Sequence, residues 1–136
     1  MKEVEFRFLR HDDDGRMLYQ GNLFTGVAVE RRPNGQLATQ TDYVDGIEDG
    51  WVRGWHENGL PRKETFYQKG RAVGVRREWY SNGQLKLEAE IEHGYCLWQK
   101  EWDEKGELVN DYVLTEDHVG YQFLQQRRER ERSKNG

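Results

Sequence analysis

Four histidines, one cysteine and two serines are the residues of this 136-residue chain best suited to nucleophilic or metal chemistry. Their spacing assembles none. His11, His56, His93 and His118 fall in no metal-ligand pattern. Cys96 stands outside any Cys-x-x-Cys motif, and a single thiol forms no internal disulfide, so it reads as the mark of a reducing compartment or as an indifferent buried thiol. Ser81 adjoins Asn82-Gly83 and lacks the frame of a nucleophile elbow. His11-Asp12-Asp13-Asp14-Gly15 has the carboxylates of a calcium loop, but Arg10 stands where the first ligand belongs and no Glu follows in place. It reads as a turn. No P-loop or dinucleotide fingerprint is present. The expectation is a protein that is not an enzyme and holds no metal or cofactor.

The chemistry that does recur is that of protein contact. Trp51, Trp55, Trp79, Trp98 and Trp102 alternate with Arg53, Arg77 and Lys100. Tryptophan and arginine are the usual anchors of interfaces, because each buries a large area or makes several hydrogen bonds from one side chain. An acidic run, Asp42, Asp45, Glu48 and Asp49, stands just ahead of them. The candidate partner-binding set is therefore Trp51, Arg53, Trp55, Arg77, Trp79, Trp98 and Trp102 together with those four carboxylates. The plainer alternative is that the tryptophans are the core.

What must position them is a repeat. Gly26, Gly50 and Gly74 are spaced alike, and so are Gly35, Gly59 and Gly83, and Gly46, Gly70 and Gly94. Columns in phase at such a period mean one supersecondary unit stacked on copies of itself. The unit runs Gly-Val-Ala-Val-Glu-Arg-Arg-Pro-Asn-Gly-Gln-Leu from Gly26, Gly-Trp-Val-Arg-Gly-Trp-His-Glu-Asn-Gly-Leu-Pro from Gly50, and Gly-Val-Arg-Arg-Glu-Trp-Tyr-Ser-Asn-Gly-Gln-Leu from Gly74. A degraded copy starts at Leu97 with Lys105-Gly106 at its turn, and a truncated one precedes them with Asp14-Gly15.

Each unit reads as a β-hairpin. Asn-Gly tolerates positive φ at both residues, which a type I′ turn requires. Gly35, Gly59, Gly83 and Gly106 are thus the structural turn glycines, and the glycines at 46, 50, 70 and 74 separate the hairpins. Leu85, Leu87, Ala89 and Ile91 alternate with Lys86, Glu88, Glu90 and Glu92. Such a period of two predicts a sheet with one buried or sticky face and one wet face. Helical repeats are excluded, since a glycine every nine to eleven residues would cost each helix about 1 kcal/mol apiece.

These stretches resemble the MORN-repeat variant typical of the YwqK-type antitoxin and immunity family of bacteria. The resemblance rests on Thr25-Gly26-Val27-Ala28, on the aromatic-x-Asn-Gly stretches around Asn34, Asn58 and Asn82, and on the aromatic-x-x-Gly before each new unit, over residues 15 to 114. Arg31, Pro61 and Leu97 depart from it. It implies an elongated antiparallel sheet of hairpins that binds and neutralises a cognate protein toxin by direct contact. A scaffolding or tethering module for proteins or acidic membrane surfaces is the alternative.

Charge bears on the choice. The net charge is −4, with ten acids against six bases in residues 1–50 and seven acids against Lys105 alone in residues 101–124. Acidic ends steer a basic partner, such as a nuclease or nucleic-acid-modifying toxin, and disfavour nucleic acid or an acidic membrane. No apolar leader or spanning run is present, which places the expected site of action in the cytoplasm.

The expected organisation is all-β. Residues 1–114 form a single elongated MORN-like sheet, with units at about 15–26, 26–49, 50–73, 74–96 and 97–114. Residues 115–136 form a capping helix and basic tail. Thr115 or Asp117 would cap that helix, and Val119, Phe123 and Leu124 would face the sheet. Its role would be to close the last strand, whose edge otherwise invites pairing. Arg127, Arg128, Arg130 and Arg132 read as a solvated face rather than a nucleic-acid site, since Glu129 and Glu131 interleave.

Overall fold

The computed structural model describes residues 2–135. Alternating apolar and polar runs, most of them ended by a glycine turn, become twelve strands: β1 Glu3–Glu5, β2 Leu9–His11, β3 Met17–Tyr19, β4 Asn22–Leu23, β5 Gly26–Arg31, β6 Leu37–Val44, β7 Ile47–Trp55, β8 Pro61–Gln68, β9 Arg71–Trp79, β10 Leu85–Glu92, β11 Tyr95–Trp102 and β12 Leu108–Val113. One helix, α1 Val119–Asn135, follows. Nine strands make one sheet in the order β1-β5-β6-β7-β8-β9-β10-β11-β12. From β5 onward every pairing is between chain neighbours and antiparallel, as a run of hairpins requires.

The N-terminal end departs from a single antiparallel sheet. β1 joins β5 in parallel, tied by Val27 N–H to Lys2 C=O at 2.7 Å. The truncated copy forms a separate sheet, β2-β3-β4. Gly26 permits the junction: a Cβ there would stand 2.4 Å from the Lys2 carbonyl oxygen, closer than any side chain allows.

The type I′ turn expected at Asn-Gly is found instead at the other end of the hairpins. Asn34, Asn58 and Asn82 keep negative φ, and only the following glycine is left-handed. Gly35 N–H donates to Arg32 C=O and Arg32 N–H to Gln36 C=O, both at 2.8 Å. That is a type I turn closed by a left-handed glycine, the arrangement of a longer hairpin loop. The asparagine serves another end: its Oδ1 accepts the N–H two residues on, from Gln36, Leu60 and Gln84. Pro33 fits the second turn position, where its fixed φ is already correct. The type I′ turns lie at the opposite rim, where Gln20-Gly21, Asp45-Gly46, Lys69-Gly70 and His93-Gly94 all have positive φ at both residues.

Neighbouring asparagine turns are stitched together. Arg32 donates to the carbonyl of Trp55 (2.9 Å), His56 Nε2 to that of Trp79 (2.8 Å) and the Tyr80 hydroxyl to that of Trp102 (2.9 Å). Asn58 and Asn82 add bonds to the Ser81 and Glu104 carbonyls. Each turn thus grips the next, which keeps the stacked hairpins in register.

The core lies at the N-terminal end. Val4, Leu9, Met17, Phe24, Ala28 and Tyr43 form one buried cluster between the small sheet and the large one, with Phe6 and Tyr19 packed against it. Burial, with Glu48 nearby, pushes the Tyr43 hydroxyl up to about 12. At the other end Leu87, Ala89 and Leu124 are buried.

Helix α1 is seated differently from expectation. No acidic residue lies in its first turn, and the Gly120 N–H is taken by His118 Nδ1 at 3.0 Å; Asp117 instead accepts from the Thr115 hydroxyl. Leu124 is fully buried, whereas Val119 and Phe123 are more than half or half exposed. Arg128 clasps Glu92 in a two-pronged ion pair at 2.5 and 2.9 Å, and Glu131 lies 3.6 Å from His93. The helix therefore lies against the β10–β11 turn and leaves the outer edge of β12 unpaired, and all six residues of that strand are exposed.

That clasp is acid-sensitive. Hydrogen bonds from Arg128 hold the Glu92 carboxyl below its ordinary value of 4.5. A lowered folded-state value means the stabilisation is complete above the unfolded-state value and is lost as pH falls through the folded one. Amide protection along α1, relative to the intrinsic exchange rate, is expected to fall once pH drops below the ordinary glutamate value, and Glu92→Gln is expected to flatten that response.

Candidate functional site: the tryptophan face

Strand pairing fixes which side chains share a face, because directly opposed residues point the same way. One row crosses the large sheet. Gln40 opposes Arg53, Arg53 opposes Glu64, Glu64 opposes Arg77, Arg77 opposes Glu88, Glu88 opposes Lys100 and Lys100 opposes Asp111. Bases and acids alternate strand by strand. At its centre Arg77 Nε lies 2.7 Å from Glu88 and its other end 3.4 Å from Glu64. Glu88 first, then Glu64, hold the Arg77 proton more tightly than usual. Each such pair, partly exposed, contributes on the order of 0.2–1 kcal/mol. The row's larger consequence is to fix where the bases stand.

The tryptophans flank this row. Trp51 and Trp55 lie two residues either side of Arg53, Trp79 two beyond Arg77, and Trp98 and Trp102 either side of Lys100. Alternation therefore brings all five to the face of the charged row. Trp51 meets Phe66 edge-on with centroids 5.0 Å apart and carries the Arg53 guanidinium 4.5 Å over its ring. Trp98 Nε1 donates to Glu90 at 3.0 Å. None of the five belongs to the buried core; all are half-buried. Part of their area packs on the returning strands, as Trp51 does on Phe66, and part stays open to solvent.

The expectation of one apolar and one wet face also needs correction. The tryptophans share their face with Glu64, Glu88 and Glu90, while Leu87 and Ala89 oppose Glu78 and Arg76 on the other. Both faces are mixed. The small sheet and α1 cover parts of the second face: Val4, Ala28 and Thr41 lie in one row of it, and Gln99 and Tyr112 line a cavity of about 400 Å³ with Gly120 and His118.

The acidic run does not join the tryptophan row as a unit. Asp42 Oδ2 accepts the Trp51 N–H at 2.9 Å where β7 bulges around Gly50, so it supports the backbone that carries the first tryptophan. Asp45 sits in the type I′ turn and meets the Thr25 hydroxyl. Glu48 lies on β7 opposite Tyr43. Asp49 borders an open groove of about 950 Å³ at that rim, with Lys69, Arg71, Glu90 and Glu131. Glu64, Glu88, Asp111 and Phe66 belong to the tryptophan face although their types alone did not single them out. Reflecting the sequence about Asn58-Gly59, Asn82-Gly83 and Lys105-Gly106 would have found them.

Among the described residues no three His, Cys, Asp or Glu side chains converge as a metal site, and no helix is long and apolar enough to cross a membrane. The tryptophan face is built for contact, with wide half-buried aromatic rings held between paired charges.

Comparison with known proteins agrees with this architecture. The MORN repeat variant family matches residues 72–93, the hairpin of β9 and β10 with its closing turn. The chain is 38% identical over 109 residues to "Immunity protein YwqK" of Bacillus subtilis (strain 168), an alignment covering 80% of this chain and 71% of that protein. No solved structure gives a significant match. With its glycine columns, its stacked hairpins and this level of identity, the chain belongs to the YwqK family of MORN-repeat-variant proteins.

Proposed function

We propose that this chain is an immunity protein acting in the cytoplasm, which binds a cognate protein toxin and lays its tryptophan face over the toxin's active site or substrate groove. The observation that carries the reading is the half-buried aromatic face with arginines set between its rings. Such side chains are already partly ordered, so a partner gains their area at low entropic cost. The relative's name, an immunity protein, supports the same role. The net charge of −4 favours a basic toxin, such as a nuclease or nucleic-acid-modifying enzyme.

The test is affinity capture from the native cell extract, followed by co-expression. A stoichiometric protein that is toxic alone and harmless with this chain supports the proposal; recovery of the chain alone, or with lipid only, overturns it. The face is tested separately. Trp79→Ala and Trp55→Ala are expected to keep the fold, because it is the tryptophan carbonyls, not the rings, that the neighbouring turns hold. Each is expected to weaken capture by about tenfold or more, as loss of a hot-spot side chain does. Retained fold with full binding would remove the tryptophan face from the proposal.

A further inference from the structure

Every interior returning strand is paired on both sides, and the last is not. β6, β8 and β10 each lie between two neighbours, whereas β12 ends the sheet. The Leu114 N–H donates to Leu97 C=O at 2.8 Å. By alternation Asn110 and Tyr112 turn their backbone groups to β11, and Asp111 and Val113 turn theirs to solvent. Exposed apolar side chains cluster there too: Leu108 is 50% exposed, Val109 64% and Val113 61%.

The charged row shows what this edge lacks. Glu64 stands between Arg53 and Arg77, and Glu88 between Arg77 and Lys100. Asp111 has Lys100 on one side and no strand on the other. In each outgoing strand the base is flanked two residues away by large apolar side chains: Trp51 and Trp55, Val75 and Trp79, Trp98 and Trp102.

We propose that the open edge of β12 takes an extended segment of a partner protein as an added antiparallel strand, with a lysine or arginine opposite Asp111 and a large apolar residue two positions to either side. Backbone bonds to Asp111 and Val113 supply the attachment, and the vacant half of the charged row supplies the register. A second copy of this chain fits poorly. Its β12 would set Asp111 against a second Asp111 or, shifted by two residues, against Val109 or Val113, and in none of these registers against a base. Its other free edge is the three-residue β1, whose Glu3 and Glu5 are carboxylates. Both edges of the sheet are acid-bearing and repel each other. The inference stands on strand register alone, so it holds or fails separately from the immunity reading.

The experiment uses the full chain and a labelled peptide with the sequence of its own residues 71–80, the outgoing strand β9 with Tyr80, read by fluorescence anisotropy. The expected result is saturable binding that weakens about three- to tenfold when the peptide's Arg77 is replaced by Glu. Asp111→Lys is expected to reverse that preference, and Val113→Pro, which removes an outward N–H, is expected to weaken binding at least about tenfold. Asp111 and Val113 are exposed edge residues, so both variants are expected to stay folded, with Asp111→Lys lowering the denaturant midpoint only slightly because its lysine opposes Lys100. No binding, equal binding of both peptides, or a β12-dependent dimer in sedimentation would each overturn the proposal.

Discussion

Phe24→Ala is expected to destabilise the protein by about 3–5 kcal/mol, the cost of removing a fully enclosed ring. Phe24 is 2% exposed at the centre of the N-terminal cluster. Its ring meets Tyr19 at 6.2 Å and Tyr43 at 5.9 Å, so one substitution removes two aromatic contacts and leaves a cavity that both tyrosines border. It also precedes the backbone junction where Gly46 N–H reaches the Phe24 carbonyl and Phe24 N–H the Met17 carbonyl. A domain of this size has on the order of 5–15 kcal/mol in all, so the variant is expected to lose about a fifth or more of its stability. The measurement is the urea midpoint, which should fall without a change in slope. Phe8, 55% exposed, is the control: its alanine variant should move the midpoint little.

Leu124→Ala is expected to cost about 2–5 kcal/mol and to release α1. The helix is polar around most of its circumference, and a free helix of this length is marginal in water. Leu124 is fully buried, and the Arg128–Glu92 clasp is partly exposed and weaker. Amide exchange should show α1 opening while β5 to β10 stay protected. Phe123→Ala, one residue away and half exposed, should leave the helix docked. The reverse outcome would mean that the helix presents its other side to the sheet.

That contrast marks how far sequence reasoning reached. The glycine columns specified hairpins, and the hairpins specified the sheet, because a period-two pattern interrupted by X-Gly has few other solutions. The charged row was equally available: reflection about Asn58-Gly59 sets Arg53 against Glu64, and about Asn82-Gly83 sets Arg77 against Glu88, as the sheet does. The turn type was not available. Asn-Gly suits a type I′ turn, and only the bond from Gly35 N–H to Arg32 C=O, with its equivalents, selects the longer loop. Nor was the docked side of α1 legible. Val119, Phe123 and Leu124 are alike in type, and the position of Glu92 relative to Arg128, a tertiary fact, decides among them. Asp42 likewise looked like its acidic neighbours until the bulge at Gly50 gave it the Trp51 amide.

The turn-to-turn stitching, Arg32 to Trp55, His56 to Trp79 and Tyr80 to Trp102, links each unit only to its immediate successor. A protein held this way behaves as a ruler. Each unit adds two strands, about 10 Å of width, and carries its own fastening to the next. Duplicating or deleting an internal unit would change the reach of the tryptophan face by that step while leaving every remaining junction as it was. Variation in repeat number is thus the cheapest way for such a chain to match a larger or smaller partner.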